Sequence, residues 1–504
     1  MITLSQKCLL ACLLLVSAGS LQAQSLPRPA AIEPAIDFWT QIYTEIPVDQ
    51  GLIHDSERNL RVLGQIDVAA PGQWQRRRTQ VRAALERYRD ALHALAEQDG
   101  RPRTALQQQL TQRLPPNLDA EAMVALAERL RFQGGLRERF RDSLERSGHW
   151  RDHMRAVFTR HEIPLELLAL PHVESSFNPK ARSHAGAAGL WQFTVGTGRR
   201  FMRIDPVVDE RLDPWRSTEA AAELLAYNYA QIGHWPLAIT AYNHGLNGMR
   251  RAVKTVGGSD YVRIYREYEG RRFGFASRNF YPSLLAAAGV DANAERYFPG
   301  VKRSPAWQAK TIALPHFTPV ATLLDAPGID AETLQRLNMA LGPAVWDGRK
   351  FIPRGYRLRV PGDAAPDWAQ TLSQLPGSQL YQAQRPDVAH AIVAGDTLST
   401  IAERYAVSVE ALMARNNIAD AHRIRAGQTL DLPVAGAMPR PVGGQRYEVQ
   451  PGDTLGAIAQ NHGIDQQRLA ELNQIDNPDR LRVGQRLLID SASAVAVVET
   501  ASEP

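Results

Sequence analysis

One carboxylate is set apart by its neighbours. Glu174 lies in the run Leu-Leu-Ala-Leu-Pro-His-Val-Glu-Ser-Ser-Phe (167–177), and Gly-Ala-Ala-Gly-Leu-Trp-Gln-Phe follows at 186–193. Apolar residues lead into the acid, and a Gly-rich turn with aromatics comes just after it. Desolvation disfavours a charged carboxylate, so these surroundings predict a Glu174 that keeps its proton near neutral pH. The chemistry open to such a group is proton donation to a leaving oxygen, as in glycosidic bond cleavage. A helix beginning near Pro164 would set Leu167, Leu170, Pro171 and Glu174 on one face. The acid then sits near the helix C-terminus, where the macrodipole further disfavours ionisation.

The elements that must position this acid are helical in pattern. Residues 218–232 are rich in Ala, Leu and Glu, with Ser217 as the expected N-cap, and Trp235 to Tyr242 reads as a short helix broken at Asn243-His244-Gly245. Three aspartates, Asp205, Asp209 and Asp213, are candidates for a second carboxylate. The spacing His172-Val173-Glu174 matches half of a zinc deaminase signature, but no Cys-x-x-Cys accompanies it. His161, His172, His184, His234 and His244 lack zincin spacing. Gly-rich phosphate loops and serine-hydrolase elbows are absent too. The sequence implies no metal and no cofactor.

At 504 residues the chain is too long for one core, so three or more folded units are expected. Apolar residues make up 44% and charged residues 22%, which is ordinary for a soluble globular protein. A formal charge of +5 allows contact with an anionic polymer without arguing for nucleic acid. Residues 1–23 read as an export signal: Lys7 is the only charge before an apolar run from Cys8 to Val16, and small residues lead to Ala23. Cys12 lies inside that run, which argues against lipid attachment there. Both cysteines, Cys8 and Cys12, go with the signal, so the mature chain has no thiols. Loss of Lys7 leaves 57 basic against 53 acidic residues, or +4.

Residues 24–150 read as a helical region. In the stretch from Arg76 to Leu95, Val81, Leu85, Tyr88, Leu92 and Leu95 recur at helical spacing, and Arg76, Arg77, Arg78, Arg82, Arg87 and Arg89 form a solvated face. The chemistry concentrates in 151–300. The C-terminal third is duplicated: 390–433 and 447–490 align without a gap at an offset of 57 residues. Gly395-Asp396-Thr397-Leu398 returns as Gly452-Asp453-Thr454-Leu455, and Leu412, Asn416 and Ile418 return as Leu469, Asn473 and Ile475. Each copy predicts a β-α-α-β unit, at 388–433 and 446–490, with a Pro- and Gly-containing linker from Val434 to Arg446 and a tail at 491–504. A fainter copy is expected at 310–363. There Leu334, Leu337 and Asn338 mirror Leu469, Leu472 and Asn473, while Phe317-Thr318-Pro319-Val320 stands in place of the Gly-Asp-Thr-Leu turn.

Residues 164–250 resemble the catalytic domain of the soluble lytic transglycosylase family. The resemblance runs through Glu174-Ser175, Gly189-Leu190-Trp191-Gln192-Phe193 and Ala241-Tyr242-Asn243. The paired repeats resemble LysM modules. The implied fold is a mainly α lysozyme-like domain followed by small α+β modules. The implied activity is cleavage of peptidoglycan strands between N-acetylmuramic acid and N-acetylglucosamine, leaving 1,6-anhydro ends. Glu174 would be the single acid/base; Gln192, Tyr242, Asn243 and Ser175 would contact the sugar or tune the acid. Trp191 stands where that family more often has Met, and could pack on sugar or fill the core. In the LysM modules the implied glycan contacts are Gly395, Asp396, Thr397, Leu398 and Ile418, and Gly452, Asp453, Thr454, Leu455 and Ile475. The export signal and the resemblance together imply a periplasmic location at the wall, with membrane association left open, and room for protein partners in wall remodelling. Two alternatives stay open at this point: a hydrolase that uses water with one of the three aspartates, and a catalytically idle wall-binding scaffold.

Overall fold

The computed structural model describes residues 25–489 except 58–59, 117, 326–329, 363–374, 376–379, 386–388, 406, 417, 433–444, 451–452, 462–465, 467–468, 471–472, 474, 476–480 and 483. The export signal with Cys12, most of the linker, Gly452 and the tail lie outside the described residues. The chain forms two compact units, each built from separate stretches. The first takes 1–145, 151–176 and 221–302; the second takes 146–150, 177–220 and 303–504.

The first unit is built around the helix Phe275–Ala292, which is buried on nearly all sides. Glu33–Thr44, Trp235–His244 and the short turn Leu165–Ala169 pack against it. The helix Trp74–Glu97 buries Tyr88, Leu92 and Leu95 and exposes Arg76, Arg78, Arg82 and Arg87, while Arg77 donates to the carbonyls of Val48 and Ala69 and Arg89 is partly buried. Residues 24–150 are not purely helical. They contain an antiparallel sheet of order β2-β1-β3, with β1 at Gln50–Asp55, β2 at Val62–Asp67 and β3 at Leu130–Gly134. The central strand β1 is buried at four consecutive positions, so it carries no polar alternation to betray it. Its partner β3 lies some eighty residues away in sequence.

Three helix boundaries also differ from the sequence reading. The chain from Pro164 is not one helix but a 3-10 turn, Leu165–Ala169, followed by the short helix Leu170–Glu174. Pro171 has no N–H to give to the Leu167 carbonyl, which accepts from Leu170 instead, so the α-helical ladder breaks there. The helix expected at 218 begins at Pro214, because Asp213 accepts from the N–H groups of Trp215 and Arg216 and takes the capping role assigned to Ser217. The helix from Trp235 continues to His244, where Gly245 at φ +87° ends it.

In the second unit three segments share one plan. Strands β4 (Ala309–Ala313) and β5 (Arg357–Pro361) pair antiparallel around the helices Val320–Leu324 and Ala331–Leu337. Strands β6 (Ala389–Ala391) and β7 (Thr429–Asp431) do so around Leu398–Tyr405 and Val409–Arg415. Strands β8 (Gln445–Glu448) and β9 (Arg486–Ile489) pair in the last copy, where Leu455–Asn461 is the first helix. Each has its own apolar core. An asparagine recurs at the equivalent place in all three: Asn338, Asn416 and Asn473 each donate from Nδ2 to the carbonyl four residues back, at 2.9, 2.8 and 2.8 Å.

Candidate active site

Glu174 is the last residue of the helix Leu170–Glu174. Leu167 and Leu170 are fully buried beneath it, and Pro171 and His172 are buried beside it. His172 fixes this helix. Its Nδ1 lies 2.6 Å from Ser143 Oγ, its Nε2 lies 3.1 Å from Asp291 Oδ1, and its ring stacks on Phe140 at 4.7 Å. Asp291 is in turn paired with Arg151 at 2.8 Å. Sequence reading missed Ser143, Phe140 and Asp291 because they come from distant elements and carry no local signal.

The Glu174 side chain keeps some contact with solvent, yet enough protein surrounds its carboxyl that burial pushes the pKa up to about 8. Among the described residues no cation or hydrogen-bond donor offsets that burial. At neutral pH the group is therefore mostly protonated and able to give a proton away. Tyr242 is close enough for the two groups to interact: burial first, and then the Glu174 charge, raise the tyrosine pKa well above its ordinary value. Its hydroxyl stays protonated, a donor throughout the useful pH range.

After Glu174 the backbone takes left-handed values at Ser176 (φ +52°) and Phe177 (φ +54°). Such conformations cost about 1–3 kcal/mol each outside glycine and collect at functional sites. The Ser175 N–H and hydroxyl both reach the Pro171 carbonyl, so Ser175 closes the helix. Asn243 is exposed and accepts from Ser277 Oγ at 3.1 Å, and the same hydroxyl lies 3.1 Å from His244 Nδ1. A 290 Å³ hollow beside it is lined by His244, Arg251, Tyr268, Arg271 and Arg272, a cationic wall suited to an anionic substituent.

The Gly-rich loop belongs to the second unit. Gly189 has φ +83°, and a Cβ there would meet the Arg211 carbonyl oxygen at 1.7 Å, so only glycine fits. Gln192, also left-handed at φ +48°, donates from Nε2 to the carbonyls of Gly189 (2.9 Å) and Ala181 (3.2 Å). The amide nitrogen of Gln192 thus braces its own loop. Trp191 is fully buried and donates to Thr218 Oγ1 at 2.9 Å; it is core, not a sugar platform.

The three aspartates are engaged elsewhere. Asp205 accepts from Arg203 and from the N–H groups of Val207 and Val208; burial raises its pKa, but these bonds outweigh it and leave the pKa lowered. Asp209 grips Arg211 with both oxygens, each at 2.8 Å. Asp213 caps a helix and pairs with Arg359.

In the repeat modules the turn residues hold the fold. Asp396 accepts from His390 Nε2 (2.8 Å) and the Val393 N–H, and Asp453 accepts from the Tyr447 hydroxyl (2.7 Å) and the Gln450 N–H. His390 and Tyr447 are themselves equivalent positions. Thr397 and Thr454 cap the following helices, Leu398 and Leu455 enter the cores, and Ile418 and Ile475 pack against them. Gly395 turns at φ +93°.

Comparison with known proteins places these observations in context. Residues 157–264 match the family model described as the transglycosylase SLT domain, and 390–433 and 447–490 match that of the LysM domain. Membrane-bound lytic murein transglycosylase D of Escherichia coli is 28% identical over 331 residues, covering 60% of this chain and 68% of that protein. A putative tributyltin chloride resistance protein of Alteromonas is 37% identical over 99 residues, 19% of this chain and 48% of that one. The 70-kDa soluble lytic transglycosylase of Escherichia coli, a solved structure, is 27% identical over 30% of this chain at a TM-score of 0.25, and the match spans 24% of its length. The chain therefore carries a transglycosylase SLT domain with Glu174 inside it and two LysM domains behind it.

Proposed function

We propose that Glu174 is the single acid/base of this lytic transglycosylase and that its substrate is the glycan strand of peptidoglycan. The protonated Glu174 gives its proton to the glycosidic oxygen between N-acetylmuramic acid and N-acetylglucosamine, and the bond to the muramic anomeric carbon breaks. The resulting carboxylate takes the proton of the muramic 6-hydroxyl as that oxygen attacks the same anomeric carbon. A 1,6-anhydro ring forms, a free 4-hydroxyl leaves on the other fragment, and Glu174 ends protonated as it began. No second carboxylate is needed because the nucleophile is part of the substrate, with the high effective concentration of an internal group.

What supports this reading is the burial of the Glu174 carboxyl, which raises its pKa to about 8, beside Tyr242, while Asp205, Asp209 and Asp213 are tied up in ion pairs and caps. Tyr242, Asn243 and Ser175 are assigned to the sugar side of Glu174, and the free oxygen of Gln192 to a sugar hydroxyl or amide. The LysM modules hold the enzyme on the wall through their turns; two weak sites on one chain raise the effective concentration of each. Among the described residues no helix is long and apolar enough to cross a membrane. Export by residues 1–23 delivers the protein to the wall.

Mass spectrometry of fragments released from purified sacculi tests the reaction. The expected product carries 1,6-anhydromuramic ends, 18 Da lighter than the hydrolytic one by the loss of one water. Reducing muramic ends alone would mean that water attacks and that the lyase reading is wrong.

A further inference from the structure

We propose that the first of the three repeat modules, 309–361, is a brace for the Gly-rich loop and not a glycan reader, and that Arg359 is a positioning residue for Gln192. The module is a true copy of its neighbours. Asn338 exchanges hydrogen bonds with the backbone of Arg359 (2.8 and 2.9 Å), as Asn416 does with Asp431. That equivalence exposes the divergence. Asp431 of the second copy is exposed, whereas Arg359 is 7% exposed and paired with the equally buried Asp213, its guanidinium 4.5 Å over the Trp215 ring.

The turn that would face sugar is also covered. Phe317 bridges to Tyr381, Thr318 bridges to Ile352, and the Tyr381 ring stacks on Phe351 at 4.4 Å. What the module presents instead is a seam to residues 206–213. Val208 pairs with Leu341 and joins the module's core. The Asp209 N–H donates to the Ala340 carbonyl, and the Gly342 N–H donates to the Val207 carbonyl, both at 2.8 Å. A Cβ on Gly342 would meet the Pro206 carbonyl oxygen at 2.6 Å, so the contact is backbone against backbone.

The far end of the same segment holds the loop. Arg211, gripped by Asp209, donates to the carbonyls of Gly186 (2.8 Å) and Phe193 (3.1 Å), the two ends of the Gly-rich run. Its own carbonyl fills the space that Gly189 leaves. Residues 206–213 are thus a slab with the module on one side and the Gln192 loop on the other. The brace matters to catalysis on the reading that Gln192 meets substrate, and to loop rigidity in any case.

Two full-length variants test it. Arg359→Met leaves Asp213 without its guanidinium, and Gly342→Ala pushes a methyl into the seam without touching the module core. In each, amide exchange of residues 186–193 without substrate is expected to speed up about tenfold or more. KM for soluble glycan strands is expected to rise about tenfold, with kcat within threefold because Glu174 is untouched. Asp213→Asn with Arg359→Met keeps the cap and removes both charges, and should recover part of the lost protection and answer for Arg359 if the single variant does not fold. Wild-type loop exchange and KM in Gly342→Ala and in the Arg359 variants overturn the brace. Because exchange is read without turnover, that result stands apart from whether the products carry anhydro ends.

Discussion

Glu174→Gln is expected to lower turnover of peptidoglycan strands roughly 10³- to 10⁴-fold, the upper range for a general acid, because one group serves both proton transfers. The same variant should be more stable than the wild type at alkaline pH. The sign follows from the direction of the shift. Burial holds the folded-state pKa at about 8 against 4.5 for the free group. Between those two values the folded state keeps a proton that the unfolded state has lost, so stability falls as pH rises across that window. Glutamine has no proton to lose and escapes the penalty. The full gap corresponds to about 5 kcal/mol as a ceiling, and the carboxyl's remaining solvent contact reduces the expected gain to about 1–3 kcal/mol above pH 8. At pH 4.5 the two proteins should unfold alike. Denaturant melts from pH 4.5 to 9 check this; parallel stability curves would remove the buried-acid argument.

Gly189→Ala is the second large effect. The added methyl would sit 1.7 Å from the Arg211 carbonyl oxygen, at a φ of +83° that alanine adopts only under strain. The clash is with backbone, so no rotamer relieves it. Moving Gly189 also breaks its N–H bond to the Ala181 carbonyl and disturbs its own carbonyl, which accepts from Gln192 Nε2. A loss of about 3–5 kcal/mol in folding stability is expected, together with loss of most activity in whatever fraction folds. A contrasting substitution is Gly186→Ala: nothing lies within 4 Å of a Cβ there, so only the cost of φ +78° remains, about 1 kcal/mol. Thermal melts of both variants distinguish a steric requirement from mere chain flexibility. Equal losses would mean that the close approach to Arg211 does not matter.

The helical parts of the chain and the acid at their end were legible in the sequence because burial on one face imposes a period of 3.6. Tyr88, Leu92 and Leu95 show it, whereas Leu167 to Leu170 are buried without a break and the acid is marked by that apolar run instead. The β-α-α-β units were legible because a repeated residue marks a repeated job: the offset that matches Asn416 to Asn473 matches two identical side-chain clamps. The N-terminal sheet was not legible, since β1 is buried at consecutive positions and pairs across long separations. The break at Pro171 was visible as a residue but not as an event, because proline is accepted within the first turn of a helix and disfavoured deeper inside. Packing alone decided the fate of Trp191, and of Gln192's amide nitrogen. Position 191 tolerates either a sugar face or a core, and a buried indole with Thr218 as its partner settles on the core. The Arg359–Asp213 pair joins residues nearly 150 apart and leaves no local trace.

Infrared difference titration of the Glu174 carboxyl, wild type minus Glu174→Gln, reads the state of that acid directly. A protonated carboxyl band that persists through pH 7 and disappears with a midpoint near 8, in step with the alkaline fall in kcat/KM, is the predicted result. A midpoint in the ordinary range for glutamate, near 4.5, would leave the enzyme without a proton to give and would contradict the mechanism.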